Sequence, residues 1–374
     1  MKIALVSDAI YPYNKGGKEK RLYEVSTRLA KKGHEVHIYC MKWWKGNSKR
    51  KENGVILHGF SRYSPLYSKN RRSIKQALIF SINSFKLIRE DFDVIDVDHM
   101  PHLVLFPLKI VSILKRKKMI VTWNEVWGRK YWKEYLGFLG EVAFVVEKLS
   151  VITADKIISV SDHTSDRLVR VLNYPKNKII IVPNGIEFKK IQKIKKSNQE
   201  SDIIFAGRLL PHKNADVLIK AISEVKKKKE NISCFIIGEG TEKNNLKELA
   251  KSLGLEKNIT FLNFLDKHDD LYALIKASKV FVLPSTREGF GIVVIEANAC
   301  GIPVVTIDHE HNAAKNLVIN GKNGFICKLD KNQVASSINV ALLERQSADS
   351  YINSAKKYDW DEVTNQIEKI YLNI

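Results

Sequence analysis

The sequence contains few cysteines and no long apolar run. Its 374 residues include four cysteines, and no two of them form a Cys-x-x-Cys pair. This pattern argues against a disulfide framework and against a zinc site of the usual spacing. No apolar stretch approaches the roughly 20 residues that a membrane-spanning helix needs. The four apolar residues after Lys2 are also too few for the core of a signal peptide, so we expect a cytoplasmic protein.

Acidic residues are scarce relative to basic ones, and the imbalance is uneven along the chain. The net charge is +21, and residues 1–187 hold 34 Lys and Arg against 18 Asp and Glu, whereas residues 188–374 hold 28 against 23. One interpretation is that the first half meets an anionic partner. The other is the lysine-rich composition that an AT-rich genome favours, although this does not explain the asymmetry.

Short apolar strands alternate with amphipathic helices along nearly the whole chain. This alternation predicts an α/β fold with parallel sheets covered by helices on both faces. A polar, lysine-rich stretch over residues 188–201 interrupts it and predicts a linker. We therefore predict two doubly wound domains, residues 1–187 and 202–355, because the chain is long for one core. A C-terminal helix over about 356–374 is expected to pack back on the first domain.

Two glutamates separated by seven residues form the most informative segment. Glu288 follows an apolar strand, and the turn Gly289-Phe290-Gly291 leads into a helix that contains Glu296. Glycines let a backbone approach a ligand closely, and amides at a helix N-terminus favour an anion. Glu296 lies further along the same helix, where it can reach a ribose diol. The spacing predicts a site for a nucleotide.

This segment resembles the E-x7-E motif of retaining GT-B glycosyltransferases, in particular glycosyltransferase family 4. Four other stretches agree in order and spacing across essentially the whole chain. Residues 205–214 resemble the family's G-R-x-x-x-x-K-[GN] segment, and 237–240 its short G-x-G turn. Val182–Ile186 resembles its interdomain turn, and Gly16-Gly17 falls where the family has a glycine-rich first loop.

The resemblance implies a fold and a reaction. The fold is GT-B, in which two Rossmann-like domains face each other across a cleft. The reaction is the retaining transfer of a hexose from a UDP- or GDP-sugar to a saccharide or lipid-linked acceptor, as in cell-surface polysaccharide biosynthesis. The nucleotide sugar is a co-substrate, and neither a cofactor nor a metal ion is implied.

The resemblance also implies roles for individual residues. Glu288 would hold the sugar hydroxyls near the anomeric carbon, either as a nucleophile or as a positioning group. Arg208 and Lys213 would stabilise the negative charge of the departing diphosphate. The expected donor-binding residues are Gly17, Arg208, Lys213, Gly238, Gly289, Phe290, Gly291, Ile292 and Glu296.

The first half departs from the family at its expected histidine. Asp98 aligns with that position and His99 follows it, so His99 is our first candidate for a catalytic residue there and Asp98 our second. Asp96-Val-Asp98 also spells a D-x-D motif, which holds Mn²⁺ or Mg²⁺ in the other main glycosyltransferase fold. The tandem architecture favours metal independence over this alternative.

Two features of the first half concern its surroundings. The aromatic residues between Trp123 and Tyr135 predict either an amphipathic surface or a packed core helix. The basic segments 115–118 and 71–72 predict peripheral contact with the anionic inner face of the plasma membrane.

Two other classes of protein share parts of this pattern. A nucleotide-sugar epimerase or a sugar phosphorylase would use the same architecture. A basic nucleic-acid-binding protein would account for the charge but not for the two glutamates, so we expect no nucleic-acid partner.

Overall fold

The computed structural model describes residues 1–68, 71–344 and 346–374. The chain forms two compact units, unit 1 from residues 1–184 with 360–374 and unit 2 from residues 185–359. The predicted linker over 188–201 is different in the structure, because it lies within unit 2 and its first residues form a helix, Phe188–Lys193. Ile191 of this helix is fully buried, so the segment packs against its own unit.

Unit 1 is built around an eight-stranded sheet in the order β10-β9-β8-β7-β1-β2-β4-β3. The strands of the unit are β1 Lys2–Val6, β2 Glu35–Met41, β3 Lys49–Glu52, β4 Val55–Ser61, β5 Tyr67–Ser68, β6 Arg71–Arg72, β7 Val94–Asp98, β8 Lys118–Trp123, β9 Lys156–Ser159 and β10 Ile179–Ile181. The helices that connect them are α1 Gly17–Lys31, α2 Ile74–Ser84, α3 Leu105–Leu114, α4 Gly128–Leu136, α5 Leu139–Ser150 and α6 Asp162–Leu172. All pairings in this sheet are parallel except β3 with β4.

The β3–β4 hairpin was not predicted. Its two strands are antiparallel and are joined by Asn53-Gly54, both with positive φ. An Asn-Gly pair between two short strands is the usual sequence signal of such a hairpin. β3, Lys49–Glu52, consists of four charged residues and therefore lacks the alternating apolar pattern that predicts a strand, as is common for an edge strand.

Unit 2 is built around a six-stranded sheet in which all pairings are parallel, in the order β13-β12-β11-β14-β16-β18. The strands of the unit are β11 Ser201–Ala206, β12 Cys234–Ile237, β13 Ile259–Leu262, β14 Ser278–Leu283, β15 Arg287–Glu288, β16 Val304–Ile307, β17 His311–Asn312 and β18 Gly324–Cys327. Its helices are α7 Phe188–Lys193, α8 Ala215–Lys226, α9 Lys243–Ser252, α10 His268–Lys276, α11 Ile292–Ala299, α12 Lys331–Leu343 and α13 Ala348–Ala355.

The strand order places a crevice at one point of each sheet. In unit 1 the order reverses between β1 and β7, and in unit 2 between β11 and β14. The loops that leave two such neighbouring strands turn to opposite faces, and ligands of doubly wound sheets bind between them at the carboxyl ends of the strands.

The last helix, α14 Trp360–Leu372, returns to unit 1 and packs against α1. Its Trp360 is buried in the same apolar cluster as Val25 and Leu29 of α1. The hydroxyl of Tyr371 donates a hydrogen bond of 2.5 Å to Oδ2 of Asp96 on β7. The helix therefore covers one face of the unit 1 sheet.

The aromatic residues between positions 123 and 135 belong to the core of unit 1. Trp123 and Trp132 are buried, and Trp127 and Tyr135 pack against the same cluster while partly exposed. The structure thus supports the core interpretation of this segment rather than the surface interpretation. Within the described residues, no helix combines the length and the apolar character needed to cross a bilayer.

We expect Asp96→Asn to become more stable relative to the wild type as the pH rises. Burial raises the pKa of Asp96 to about 6 from 3.8, although Tyr371, Thr122 and Arg21 favour its charged form. The folded protein therefore binds this proton more tightly than the unfolded chain, and the carboxylate costs stability between about pH 4 and 7. The amide stays neutral, so the difference in free energy of unfolding should grow by up to about 3 kcal/mol across that range.

Thermal unfolding of both proteins at several pH values across this window measures the effect. Asp93→Asn is the matched control, because the amide of Lys2 bonds to Asp93 and lowers the pKa of that carboxyl. The difference between the midpoint of thermal unfolding of this control and that of the wild type should not increase with pH. A pH-independent difference for Asp96→Asn would contradict the assignment.

Candidate functional site

The loop after β14 is shaped by its pairing with a neighbouring loop of unit 2. Glu288 belongs to β15, which pairs in parallel with β17, and α11 begins directly after Gly291. Gly291 has φ +94°, and a Cβ there would lie 2.5 Å from the Cβ of Ala314. Only glycine fits this position, and the turn therefore depends on it.

Lys213 and Glu288, which are far apart in sequence, form an ion pair in the structure. The Nζ of Lys213 lies 2.6 Å from Oε1 of Glu288, and each side chain is 14% exposed. Lys213 ends the short turn after β11, and Asn214 fastens this turn to the loop after β14. The Nδ2 of Asn214 donates to the carbonyl of Pro284 over 3.0 Å and to Oγ1 of Thr286 over 3.2 Å.

The other side chains of this loop pair differ in exposure. Arg208 is exposed, and its guanidinium makes no hydrogen bond or ion pair with the part of the chain that the structure describes. His212 lies beside Lys213, and burial together with the charges of Lys213 and Arg287 lowers the pKa of His212 to about 4. At neutral pH the imidazole is therefore uncharged, and the cations around it are Arg208, Lys213 and Arg287.

Gly238 lets a second turn approach the loop after β11. It follows β12, and a Cβ there would lie 1.9 Å from the carbonyl oxygen of Gly207. The amide of Gly207 in turn bonds to the carbonyl of Ile237 over 3.0 Å. Gly238 therefore sits where two backbones meet at the carboxyl end of the sheet.

The residues predicted after Glu288 occupy the start of α11. Gly289 and Ile292 are partly exposed, while the ring of Phe290 is buried and packs edge-on against Tyr358 at 6.0 Å between centroids. The side chain of Phe290 is therefore used for packing within unit 2, and its backbone is what remains for a ligand.

Glu296 is buried and already has a partner. The hydroxyl of Tyr272 donates to Oε1 of Glu296 over 2.7 Å, and Nε2 of His268 lies 3.7 Å from the same oxygen. Burial and the charge of Glu296 raise the pKa of Tyr272 well above its usual value. Tyr272 and His268 were not predicted, although their spacing of four residues on one helix is a signal for a shared face.

In unit 1, the structure brings Asp98 and His99 to the reversal of strand order between β1 and β7. Asp98 ends β7, and Lys18, which follows Gly17 at the start of α1, lies 2.5 Å from its Oδ2. Lys18 also lies 3.2 Å from Oδ1 of the fully buried Asp8 at the end of β1.

This cluster holds its charges firmly. Burial alone would lower the pKa of Lys18, but Asp8 and Asp98 outweigh it and raise that pKa above the ordinary range. Burial would raise the pKa of Asp98, but Lys18 and His99 hold it well below its usual value. Asp98 is therefore an ionised carboxylate with a fixed counter-ion.

His99 is buried beneath this cluster. Its ring stacks on Trp123 with centroids 4.9 Å apart, and Nδ1 lies 3.3 Å from Oδ1 of Asp98. The amide nitrogen of Asn124 lies 3.4 Å from the same ring nitrogen. Only 3% of the residue is exposed, so His99 reaches a ligand only at the edge of its ring.

Sequence reasoning missed Lys18, Asp8 and Arg72 in this cluster. Arg72 donates to Oδ2 of Asp8 over 2.6 Å from a segment that is distant in sequence. The available signal was positional, because Asp8 follows a buried strand and Lys18 follows a Gly-Gly pair. Arg72 gave no such signal.

Two family models together match residues 15–358 of the chain. A model described as "Glycosyltransferase Family 4" matches residues 15–190, and one described as "Glycosyl transferases group 1" matches residues 187–358. An uncharacterized glycosyltransferase of Haemophilus influenzae is 26% identical over 361 residues, which cover 95% of this chain and 94% of the relative. One component of the human phosphatidylinositol N-acetylglucosaminyltransferase is 25% identical and is matched over 99% of this chain and 75% of its own length.

Solved structures share the fold at low sequence identity. Sucrose-phosphate synthase from Thermosynechococcus elongatus superposes with a TM-score of 0.82 at 19% identity, over 100% of this chain and 98% of that one. Anabaena HepE in complex with UDP-glucose superposes with a TM-score of 0.76 at 19% identity, over 100% of both chains. Two doubly wound parallel sheets, the two family matches and these neighbours agree, and the chain belongs to the glycosyltransferases of the GT-B fold and the family 4 type.

Proposed function

We propose that the protein transfers a hexose from a UDP- or GDP-sugar to a saccharide or lipid-linked acceptor, with retention of the anomeric configuration and without a metal ion. The observation that carries this proposal is the ion pair between Lys213 and Glu288 at the strand-order reversal of unit 2. Through this pair, Lys213, a cation that can bind a diphosphate, and Glu288, a carboxylate that can bind sugar hydroxyls, lie together on the loops that follow β11 and β14. Structures of the related HepE in complex with UDP-glucose support a nucleotide sugar as donor.

In this proposal the residues of unit 2 bind the donor. Arg208 and Lys213 contact the diphosphate, and the amides of residues 289–291 at the start of α11 add backbone donors. The bond between the anomeric carbon and the phosphate oxygen breaks, and negative charge builds on the leaving diphosphate. The two cations stabilise that charge more in the transition state than in the bound substrate, and this difference accelerates the step.

The acceptor hydroxyl attacks on the face from which the diphosphate leaves. Its oxygen forms the new bond to the anomeric carbon, and its proton passes to the departing phosphate oxygen. Glu288 holds the sugar hydroxyls and offsets positive charge that develops on the sugar ring. Glu296, which Tyr272 already orients, accepts hydrogen bonds from the ribose diol through its remaining lone pairs.

Unit 1 contributes the acceptor side of the proposal. His99 and Asp98 are the proposed groups near the anomeric centre, and Gly17 contributes backbone at the start of α1. Asp98 supplies a fixed negative charge there, because Lys18 keeps its pKa low. The excess positive charge of residues 1–187 supports an anionic or membrane-borne acceptor on the inner face of the plasma membrane, as does the relative that modifies phosphatidylinositol.

Arg208→Ala and Lys213→Ala are each expected to lower kcat/KM for the nucleotide sugar by about 100-fold or more. The physical reason is the loss of a cation where the leaving diphosphate gains charge. Transfer of radiolabelled sugar from a panel of UDP- and GDP-sugars gives the rates. Lys220→Ala is the matched control, because Lys220 is a partly exposed lysine of the same unit paired with Asp216. Activity within threefold of the wild type in either test variant would refute the donor site.

Glu296→Gln is expected to raise KM for the donor by about 10-fold with little change in kcat, because a ribose contact is present in the ground state and the transition state alike. The glutamine still accepts a hydrogen bond from Tyr272, so the fold of α11 is preserved. Tyr272→Phe tests the positioning role of that hydroxyl by itself, and it should raise KM for the donor less than Glu296→Gln does. A loss of kcat at unchanged KM for Glu296→Gln would reverse the proposed roles of Glu296 and Glu288.

Activity is expected to survive an excess of EDTA, because side-chain cations and helix amides offset the charge of the diphosphate. The carboxylates of the D-x-D sequence already have protein partners, Tyr371 for Asp96 and Lys18 for Asp98. Initial rates with and without chelator, followed by addition of Mn²⁺, provide the measurement. Complete loss on chelation with recovery in Mn²⁺ would favour the metal-dependent alternative.

A further inference from the structure

Three helices of unit 1 expose apolar side chains to the solvent, and two of them, α2 and α5, bury mainly polar or small residues instead. In α2 the residues that point inward include Gln76, Ser81 and Ser84, while Ile74, Leu78 and Ile82 are exposed at helical spacing. A helix that packs on a sheet ordinarily turns its apolar stripe toward the core. The stripe of α2 instead points to the solvent, and Phe85 continues it beyond the last turn.

α5 repeats this inversion, whereas α3 is apolar on both its buried face and its exposed face. Ile110, Ile113 and Leu114 are exposed on α3, with exposed fractions of 48 to 63%. On and around α5 the exposed apolar side chains follow each other at three- and four-residue spacing. They are Phe138, Leu139, Val142, Val145, Leu149 and Ile152. The inward face of α5 buries Glu147 and Ser150.

These three helices form one surface. Phe80 of α2, Leu108 of α3 and Phe144 of α5 pack into the same core cluster of unit 1. α2 contacts α3, α2 and α5 both contact the turn His102–Val104, and α3 and α5 both contact the turn Val151–Thr153. Of the 25 large apolar side chains exposed among the described residues, 14 lie on this surface, including Ile88 just after α2, which shows that the exposure is concentrated rather than scattered.

In two of the three segments that carry this surface, all the charged residues are of one sign. Residues 71–89 contain five cations and no acid, and residues 105–118 likewise contain five cations and no acid. Lys75 and Arg116 are exposed beside the apolar stripes. Arg72, which the sequence assigned to a basic patch, is instead bound to Asp8, and Lys117 pairs with Asp93 at 3.6 Å.

From this arrangement we infer that the exposed face of α2, α3 and α5 is the membrane-docking surface of the protein and inserts its apolar side chains into the interface of an anionic bilayer. An apolar stripe bordered by Lys and Arg matches a lipid interface, where the stripe enters the acyl boundary and the cations meet anionic headgroups. A soluble protein partner would need no such excess of one sign. The role of such docking, which is to bring unit 1 to a membrane-borne acceptor, rests on the proposed function.

Sedimentation with lipid vesicles, without nucleotide sugar, tests the surface. The wild type should bind vesicles of phosphatidylcholine with about one third phosphatidylglycerol and leave them at about 0.5 M salt. The triple variant Ile82→Ser, Leu114→Ser, Phe138→Ser should bind about 100-fold more weakly or worse, because three side chains no longer enter the interface. Lys75→Gln with Arg116→Gln should bind about 30-fold more weakly.

The matched control is Phe264→Ser, Ile319→Ser, Leu343→Ser, which removes three exposed apolar side chains of unit 2. It should bind vesicles as the wild type does, and unfolding midpoints of all variants verify that each is folded. Failure of the wild type to bind, or equal binding of the first triple variant and the wild type, would overturn the inference. A dimer in solution that dissociates in the first triple variant while vesicle binding is unchanged would assign the surface to a second copy of the chain instead.

Hydrolysis of nucleotide sugars in solution separates this result from the proposed function. If the vesicle pattern is found but no nucleoside diphosphate sugar is bound or cleaved, the docking surface stands and the proposed reaction falls. If donor cleavage is found and depends on Lys213 but no variant differs on vesicles, the reaction stands and the docking surface falls.

Discussion

Burial of both faces of a parallel sheet is the constraint on which the rest of this structure depends. In each unit the central strands are mostly apolar, because helices cover them on both sides. Most polar and charged groups therefore lie at the ends of the strands, and Asp96 in the middle of β7 is an exception that Tyr371 and Thr122 hydrogen-bond. Loops diverge only where the strand order reverses, between β1 and β7 and between β11 and β14. The candidate residues lie at these ends: Asp98 ends β7, His99 follows it, Arg208 and Lys213 follow β11, and Glu288 follows β14.

Charges at these two places are stabilised by each other rather than by water. Lys18 lies between Asp8 and Asp98, and Lys213 lies against Glu288 with both side chains mostly withdrawn from solvent. Removing one partner of such a pair leaves the other as a buried unpaired charge, which is costly. A ligand that enters either place must replace the partner it displaces. In the proposed reaction the diphosphate replaces Glu288 as the partner of Lys213, because it carries more negative charge than a carboxylate.

The helices of unit 1 divide into two kinds according to what covers them. α1 and α14 contribute apolar residues to one core cluster and carry ion pairs on their outer sides, such as Arg28 with Asp361. α2, α3 and α5 enclose the other cluster yet present further apolar stripes to the solvent. Core packing alone does not require those outer stripes. The stripes lie on one face of the sheet, beside exposed cations such as Lys75 and Arg116, so part of the positive charge of this half lies on that face.

The sequence by itself determined the fold class and most of the candidate site. The period and the length of an apolar run are local properties of the sequence, so the alternation of strands and helices predicts two doubly wound sheets. The resemblance of five stretches to a known family identified that family. The Gly-Phe-Gly turn likewise pointed to the loop after β14. A glycine turn can be recognised from the sequence, and Gly291 indeed adopts a positive φ and lies too close to Ala314 for a side chain.

Only the tertiary structure decided which charges meet and which surfaces face the solvent. Arg72 and Asp8, Lys18 and Asp98, and Glu296 and Tyr272 are separated by 24 to 80 residues, and nothing in a local pattern fixes such pairs. The predicted linker has a polar composition, yet its Ile191 is fully buried and the segment belongs to unit 2. The orientation of α2 is the clearest case. Its sequence carries apolar residues around most of its circumference, and only the position of the sheet decides that Phe80 faces the core while Ile82 faces outward.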